Sequence, residues 1–336
     1  MQVARIHGAG DVRLHDEPLP TPASGEVLVK VTAVGLCGSD VHWFREGHIG
    51  GDRIEKPLVL GHEGAGVIQS GARRGERVAI DPAQPCGRCR HCEEGNPNLC
   101  EALRFAGHAP QDGTMRGHVA WPERCLVPLP PALSDVEGAL LEPLGVAMYS
   151  VELGGVGPGM SAGVFGSGPI GLLVLQVAKA AGATRLFATD RADVPHRLNA
   201  ARALGAATFA VHDGGEAEDI LSATGGRGVD VAFEAAGDPG AVEAAVAAVK
   251  PGGRVILVGI PSEDRIAFTA STARRKDLLV RVVHRMKHTY PRAIRLVESG
   301  RVDLRSLATH RFPLAAVAPA FAVAERREGI KVVLEC

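Results

Sequence analysis

Large rings are scarce in this chain. Tryptophan and tyrosine occur twice each, and aromatic residues make up 4% of the 336 positions. A core built on stacked aromatics is therefore not expected; the 42 glycines suit closely packed strands and helices instead. Net charge is also nearly absent, with 37 basic against 38 acidic residues and a balance of -1. No basic run offers an electrostatic footprint for nucleic acid, so that partner is not expected. The start, Met1-Gln-Val-Ala-Arg-Ile-His-Gly8, lacks the architecture of a signal peptide. One uncharged stretch, Leu153 to Ala178, is long enough to span a bilayer. Its eight glycines, with Pro158 and Pro169, oppose a continuous helix. It reads as loop, strand, glycine turn and helix start, and the expectation is a soluble, cytoplasmic protein without a membrane partner. Cysteine is sparse, odd in number and clustered, at 37, 86, 89, 92, 100, 125 and 336. That pattern points to metal ligation in a reducing compartment and away from a disulfide framework.

Two short stretches carry the chemistry. Cys37-Gly-Ser-Asp-Val-His42 and Gly61-His62-Glu63 supply a thiolate, an imidazole and a carboxylate. These are zinc ligand types, and three protein ligands with one open position describe a catalytic zinc site. Taken singly, Cys37 is a buried thiol and His62 a satisfied core histidine; their glycine-flanked setting favours the metal. Ser39 and His42 would then relay a proton from an alcohol to water as the alcohol becomes a ketone.

Cys86-Gly-Arg-Cys89-Arg-His-Cys92, followed by Cys100, is the strongest local signal. Four thiolates close a tetrahedral zinc shell, the mark of a structural site. An iron–sulfur cluster also takes four cysteines, but the run lacks the usual ferredoxin spacing. His91 stands inside the cluster as a solvated bystander, and Cys125 reads as a plain core thiol.

Along the chain, residues 1–60 read as short strands and turns, with a buried β-branched strand over Val27–Val34 and another over Val78–Ile80. From about residue 145 strands alternate with helices. The strand Ser161–Phe165 leads into Gly166-Ser-Gly168-Pro-Ile-Gly171 and a helix over Leu172–Ala181. The next strand ends at Asp190. Strand, glycine turn, helix and a following acid form a dinucleotide fingerprint in its required context. Pyrophosphate would approach the turn through Gly166, Gly168, Pro169, Ile170 and Gly171, and Asp190 would bind the ribose hydroxyls. Arg191 comes next and would partly offset the repulsion of a 2′-phosphate. A helix over Val194–Leu204, strands over Ala207–Val211 and Gly228–Glu234, a helix over Gly240–Val249 and strands over Gly253–Gly259 and Asp277–Val283 complete a six-stranded, doubly wound α/β fold. A helix from His288 and strands, or approaches to them, at Val302–Leu304, Thr309–Leu314 and Gly329–Leu334 follow.

Gly38-Ser-Asp-Val-His42 and Lys56-Pro-Leu-Val-Leu-Gly-His-Glu63 resemble the zinc-dependent medium-chain dehydrogenases, and within them the sorbitol and polyol dehydrogenase branch. The resemblance covers the whole chain. It implies a GroES-like, β-rich catalytic domain over 1–144 and 285–336 and a Rossmann domain over 145–284. It implies one catalytic and one structural Zn, NAD as hydride acceptor, a polyol substrate and a tetramer. It places Glu142 close to the catalytic metal, as a direct ligand or holding its water; from the residues alone Glu142 is a helix N-terminal acid. It adds Val258, Gly259, Ile260, His284, Arg285 and Met286 as neighbours of nicotinamide and substrate, and Arg197 near the adenosine end. Trp43 stands where the sorbitol enzymes carry Tyr, and His284-Arg-Met286 replaces a Phe-Arg-Tyr triplet. Arg285 is kept, so Trp43, Glu142 and Arg285 are the expected substrate residues and a polyol other than sorbitol is plausible. The indole would stack on the carbon backbone of such a substrate. The alternatives are an L-threonine or other amino-alcohol or vicinal-diol dehydrogenase, a non-catalytic cofactor-binding relative, and a docking module built on the four-cysteine lobe.

Overall fold

The β-branched run after Gly25 folds as the strand Glu26–Gly35 in a computed structural model that describes residues 1–212 and 215–336. Val27, Val29 and Val31 point into the core while Lys30 is exposed. The register slips between Val31 and Ala33, after which Ala33, Val34 and Gly35 are all buried. That irregularity hides the two-residue alternation from the sequence. The strand is the hub of a seven-stranded sheet, pairing antiparallel with Glu63–Ile68, His118–Pro122 and Lys331–Glu335. These strands belong to a first unit made of Met1–Glu142, Tyr290–Glu298 and Asp303–Cys336.

The first sixty residues are not only strands and turns. Gly38–Glu46 is a helix, because Asp40 in its first turn accepts a hydrogen bond from the backbone N–H of Cys37 at 2.9 Å. Gly47, with φ of 72°, ends it in the left-handed conformation that glycine adopts without strain. Val302–Leu304 forms no strand; it leads into the short 3-10 turn Arg305–Leu307.

The second unit, Pro143–Thr289 with Ser299–Val302, is built on six parallel strands. Their order is Ala207–Val211, Arg185–Arg191, Ser161–Phe165, Val229–Glu234, Val249–Leu257 and Leu279–Val282. The chain reverses its direction of growth at Ser161–Phe165, the switch point where doubly wound folds bind ligands. The helix after the glycine turn starts at Pro169, ahead of the expected Leu172, since proline at the first helical position costs no hydrogen bond. The strand expected from Gly253 starts at Val249 and passes through Gly252 at φ +68°. The last strand is shorter than expected because Asp277 takes φ +52° just before it. Helices at Glu216–Ala223 and Ala270–Arg275 fill crossovers for which the sequence reading named no range. Among the described residues no helix is long and apolar enough to cross a membrane; the Leu153–Ala178 stretch is broken into helix end, strand and helix start.

The amino ends of three strands are tied by one carboxylate. Asp230 accepts from the N–H and the Oγ of Ser161, both at 2.7 Å, and from Lys250 Nζ at 2.5 Å. Burial favours its neutral form, but the Lys250 and Ser161 bonds outweigh that and hold the carboxyl down at about 2. Asp230→Asn is expected to cost about 1–3 kcal/mol at neutral pH, a range typical of losing charged buried hydrogen bonds. Because the folded-state value lies below the unfolded one, this stabilisation is present above the ordinary carboxylate range and fades as pH falls toward about 2. Denaturant unfolding of both proteins across acid pH should show the two curves converging.

Candidate active site

The register of the hub strand gathers the candidate ligands. Gly35 pairs with Glu63 on one side and with Val333 on the other. Cys37 follows two residues after Gly35, and His62 directly precedes its partner. One ligand-type atom each from Cys37, His62 and Glu63 lies within 4.8 Å of the others. Glu63 and His62 are buried. Glu63 Oε1 accepts from Lys331 Nζ at 2.6 Å, and Lys331 Nζ also donates to the carbonyl of Leu36 at 2.9 Å. Glu63 Oε2 is buried without a hydrogen-bond partner. A thiolate, an imidazole and an orphaned carboxylate oxygen converging in this way fit a zinc ion, whose neighbouring ligand atoms lie about 3.5 Å apart for bonds of 2.0–2.3 Å.

Asp40 completes the frame and was not singled out in the sequence. It is fully buried, accepts from the N–H of Cys37 and from that of Gly61 at 3.1 Å, and lies 3.6 Å from His62 Nδ1. Its carboxylate thus binds both ligand-bearing segments and lies beside the imidazole, where partners behind metal ligands stand. The surroundings are anionic. Burial disfavours a charged His62, yet Asp40, Cys37 and Glu142 overcome this and push it up to about 10. A pocket with that much negative charge calls for a cation.

Glu142 opens the helix Leu141–Gly154 and is 5% exposed. Burial, together with Glu63, raises it to about 7 against the opposing pull of His62. It lies in the field of the ligand cluster but outside the three-residue grouping. Ser39 and His42 sit one turn apart on the helix Gly38–Glu46. His42 Nδ1 is 3.5 Å from Glu46 Oε1, and among the described residues no hydrogen bond joins it to Ser39.

Trp43 departs from expectation. It is 1% exposed and sealed in the core, with the ring of His108 edge-on at 5.8 Å, so no indole face stands open for stacking. The ring beside the site is Phe105, whose centroid is 5.5 Å from that of His62, while His108 has its Nε2 3.0 Å from Asp52 Oδ2. Neither has a motif around it that sequence reading could use.

Cys86, Cys89, Cys92 and Cys100 also place their sulfurs within 4.8 Å of one another. All seven cysteines are free of disulfides. The backbone N–H of Arg88 leads the contacts that hold the Cys86 thiol down to about 6, and the N–H of Cys86 itself donates to Cys100 Sγ at 3.2 Å. Backbone donors aimed at sulfur suit a thiolate cluster. His91 lies outside this grouping, 4.0 Å from Glu101. Cys125 is buried in a short 3-10 turn, and burial pushes its thiol up to about 11.

In the second unit, Gly166 has φ +102°, and a Cβ there would stand 2.8 Å from the backbone N of Ala236. A Cβ on Gly171 would stand 1.9 Å from the carbonyl oxygen of Gly166. Gly168 caps the helix that begins with Pro169 and Ile170, and Arg197 Nη1 lies 3.6 Å from where its Cβ would be. Asp190 grips the turn: its Oδ2 accepts from Ser167 N at 2.9 Å and its Oδ1 from Arg191 N at 2.8 Å. Arg191, next in the chain, is exposed and pairs with another acid. Its guanidinium is folded onto Asp193, with Nε 2.9 Å from Oδ1 and Nη2 on Oδ2. Val258 and Gly259 are held by the carbonyl of Glu234, and Ile260 is exposed. Arg285 takes φ +58°. Met286 accepts from Thr289 Oγ1 at 3.1 Å and presses its sulfur on Gly145.

Comparison with known proteins extends this picture. Residues 23–131 match the family model of the alcohol dehydrogenase GroES-like domain, and residues 169–299 that of the zinc-binding dehydrogenases. The chain is 35% identical to sorbitol dehydrogenase of Bacillus subtilis over 99% of its length and 97% of that protein's. It is 37% identical to a probable D-xylulose reductase A of Neosartorya fischeri, covering 98% and 95%. The crystal structure of an Escherichia coli oxidoreductase of unknown specificity superposes with a TM-score of 0.92 at 33% identity, covering 99% and 98%.

Gly35 offers a direct test of the site's packing. A Cβ there would stand 2.1 Å from Glu63 Oε2. Gly35→Ala should destabilise the protein by about 1–3 kcal/mol, the usual cost of overpacking, and lower its metal content. Calorimetry and elemental analysis check both.

Proposed function

Because this chain belongs to the zinc-dependent medium-chain alcohol dehydrogenases, we propose that it oxidises a secondary hydroxyl of a polyol to a ketose with NAD as hydride acceptor. The observation that carries the reading is the convergence of Cys37, His62 and Glu63 in a buried anionic pocket. Similarity over nearly the full length to a sorbitol dehydrogenase and a probable D-xylulose reductase supports a polyol as substrate. The catalytic domain is read as 1–144 and 285–336 and the NAD domain as 145–284.

Bound zinc would stabilise negative charge on the substrate oxygen, and the nicotinamide would take the hydride. Cys37, His62 and Glu63 hold the metal, and Asp40 keeps the imidazole turned to it. Ser39 would take the hydroxyl proton and pass it toward His42 and on to solvent. Glu142 would lie close to the metal, as a ligand or holding its water, and Arg285 would orient the remaining hydroxyls. The glycine turn receives the pyrophosphate, with Arg197 at the adenosine end. Val258, Gly259, Ile260, His284 and Met286 border the nicotinamide. Cys86, Cys89, Cys92 and Cys100 hold a second, structural zinc. Unpaired cysteines support a reducing, cytoplasmic setting. The edge strand Leu279–Val282 exposes Leu279 and Val282, which supports a homo-oligomer, read as a tetramer.

Elemental analysis should find two zinc ions per chain. Cys37→Ala should remove one and abolish turnover with the fold intact; Cys100→Ser should remove the other and mainly lower thermal stability. One zinc in the unaltered protein contradicts the two-site reading.

NAD should be preferred to NADP, since Asp190 would repel a 2′-phosphate and Arg191 is already paired with Asp193. Comparison of kcat/KM for the two cofactors with sorbitol, xylitol, ribitol, butane-2,3-diol and threonine tests cofactor and substrate together. Turnover of threonine alone defeats the polyol reading, and equal use of NADP defeats the cofactor reading.

A further inference from the structure

Among the described residues, Lys331 is the only lysine or arginine whose side chain is fully buried. An ammonium in such a place is costly unless it is paired, so its partners show what it is kept for. Nζ donates to Glu63 Oε1 at 2.6 Å and to the carbonyl of Leu36, directly before Cys37, at 2.9 Å. One cation therefore ties the carboxylate ligand to the segment that carries the thiolate ligand. The pairing of Val333 with Gly35 puts Lys331 across from the Cys37 end of the hub strand, so its place is set by sheet register. Glu63 is left with one engaged oxygen and one free. Oε2 is buried without a partner and backed by Gly35, where no side chain intervenes.

We propose that Lys331 is a positioning residue for the metal centre: it occupies Glu63 Oε1 so that Glu63 offers only Oε2 to the metal. This rests on the reading of Cys37, His62 and Glu63 as ligands of the catalytic zinc. Two effects follow from the charge. A carboxylate shared with an ammonium is a weaker donor than a free one, so the metal keeps more of its positive charge for the substrate oxygen. A cation beside a dication also weakens metal retention. Lys331 thus trades metal affinity for electrophilic strength.

The test uses the holoenzyme, with Lys331→Met as the apolar variant, Lys331→Gln as a neutral one that retains a donor, and Lys331→Arg as the charge-conserving one. Chelator competition measures zinc retention at the Cys37 site, and the visible spectrum of the cobalt-substituted protein reports the ligand set. Lys331→Met and Lys331→Gln should each hold zinc at least tenfold more tightly, shift the cobalt spectrum, and lower kcat tenfold or more with KM changed less than threefold. Lys331→Arg should restore the spectrum. A purely structural lysine predicts the opposite: faster zinc loss, lower thermal stability and an unchanged cobalt spectrum, and that result overturns the proposal. If Lys331→Met does not fold, Lys331→Gln alone decides between the two. Should Cys37→Ala leave the zinc content unaltered, the ligand reading itself fails and the proposal falls with it; an unaltered response to Lys331 substitution with the Cys37 zinc intact removes only the proposal.

Discussion

The first unit depends on the register of a single strand at its last residue. Gly35 faces Glu63 on one side and Val333 on the other. That pairing brings Cys37, His62 and Glu63 together and delivers Lys331 from nearly three hundred residues away. A slip of one residue would turn every side chain to the opposite face, so the packed valines of Glu26–Gly35 fix the site as firmly as they fix the core. The missing side chain at Gly35 is part of the same arrangement, since the carboxylate of Glu63 occupies its space.

Charge is organised around this register. Asp40 and Lys331, both buried, each tie the two ligand-bearing segments together, one through backbone donors and the other through a carbonyl and a carboxylate. Neither touches a ligand in a way that would compete fully with a metal. Together they supply a rigid surround for a cation, which suits the electrostatic role that the family gives its zinc.

Local spacing made much of this legible. The four cysteines within fifteen positions come together because short spacing leaves them little choice. The glycine turn, its flanking strand and the acid near the end of the next strand appear where the fingerprint demands, and four more parallel strands complete the sheet. What escaped reading depends on long-range contact. Asp40 carries no signal in a stretch that reads as strands and turns, and Lys331 is a charged residue in a terminal strand. Trp43 looks like a ring for substrate, but the core closes over it. Arg191 looks free until the chain folds Asp193 back on it. In each case the deciding partner is chosen by tertiary packing, which no window of sequence contains.

The six parallel strands separate two kinds of residue along their length. Ser161, Asp230 and Lys250 lock the amino ends together, while Gly166, Asp190, Glu234 and Gly259 crowd the carboxyl ends. Between them the central strands carry buried apolar side chains such as Val164, Val231 and Ile256, while Arg254 turns out to the carbonyl of Gly154. The central strands therefore have a floor and a rim separated by a layer of buried hydrocarbon. Thermal robustness can be raised or lowered at the floor, in nature or in the laboratory, with the rim left as it is. Cofactor preference can likewise be rewritten at the rim on an unaltered foundation. Such a division lets one scaffold adapt to heat and to a new electron carrier by independent routes.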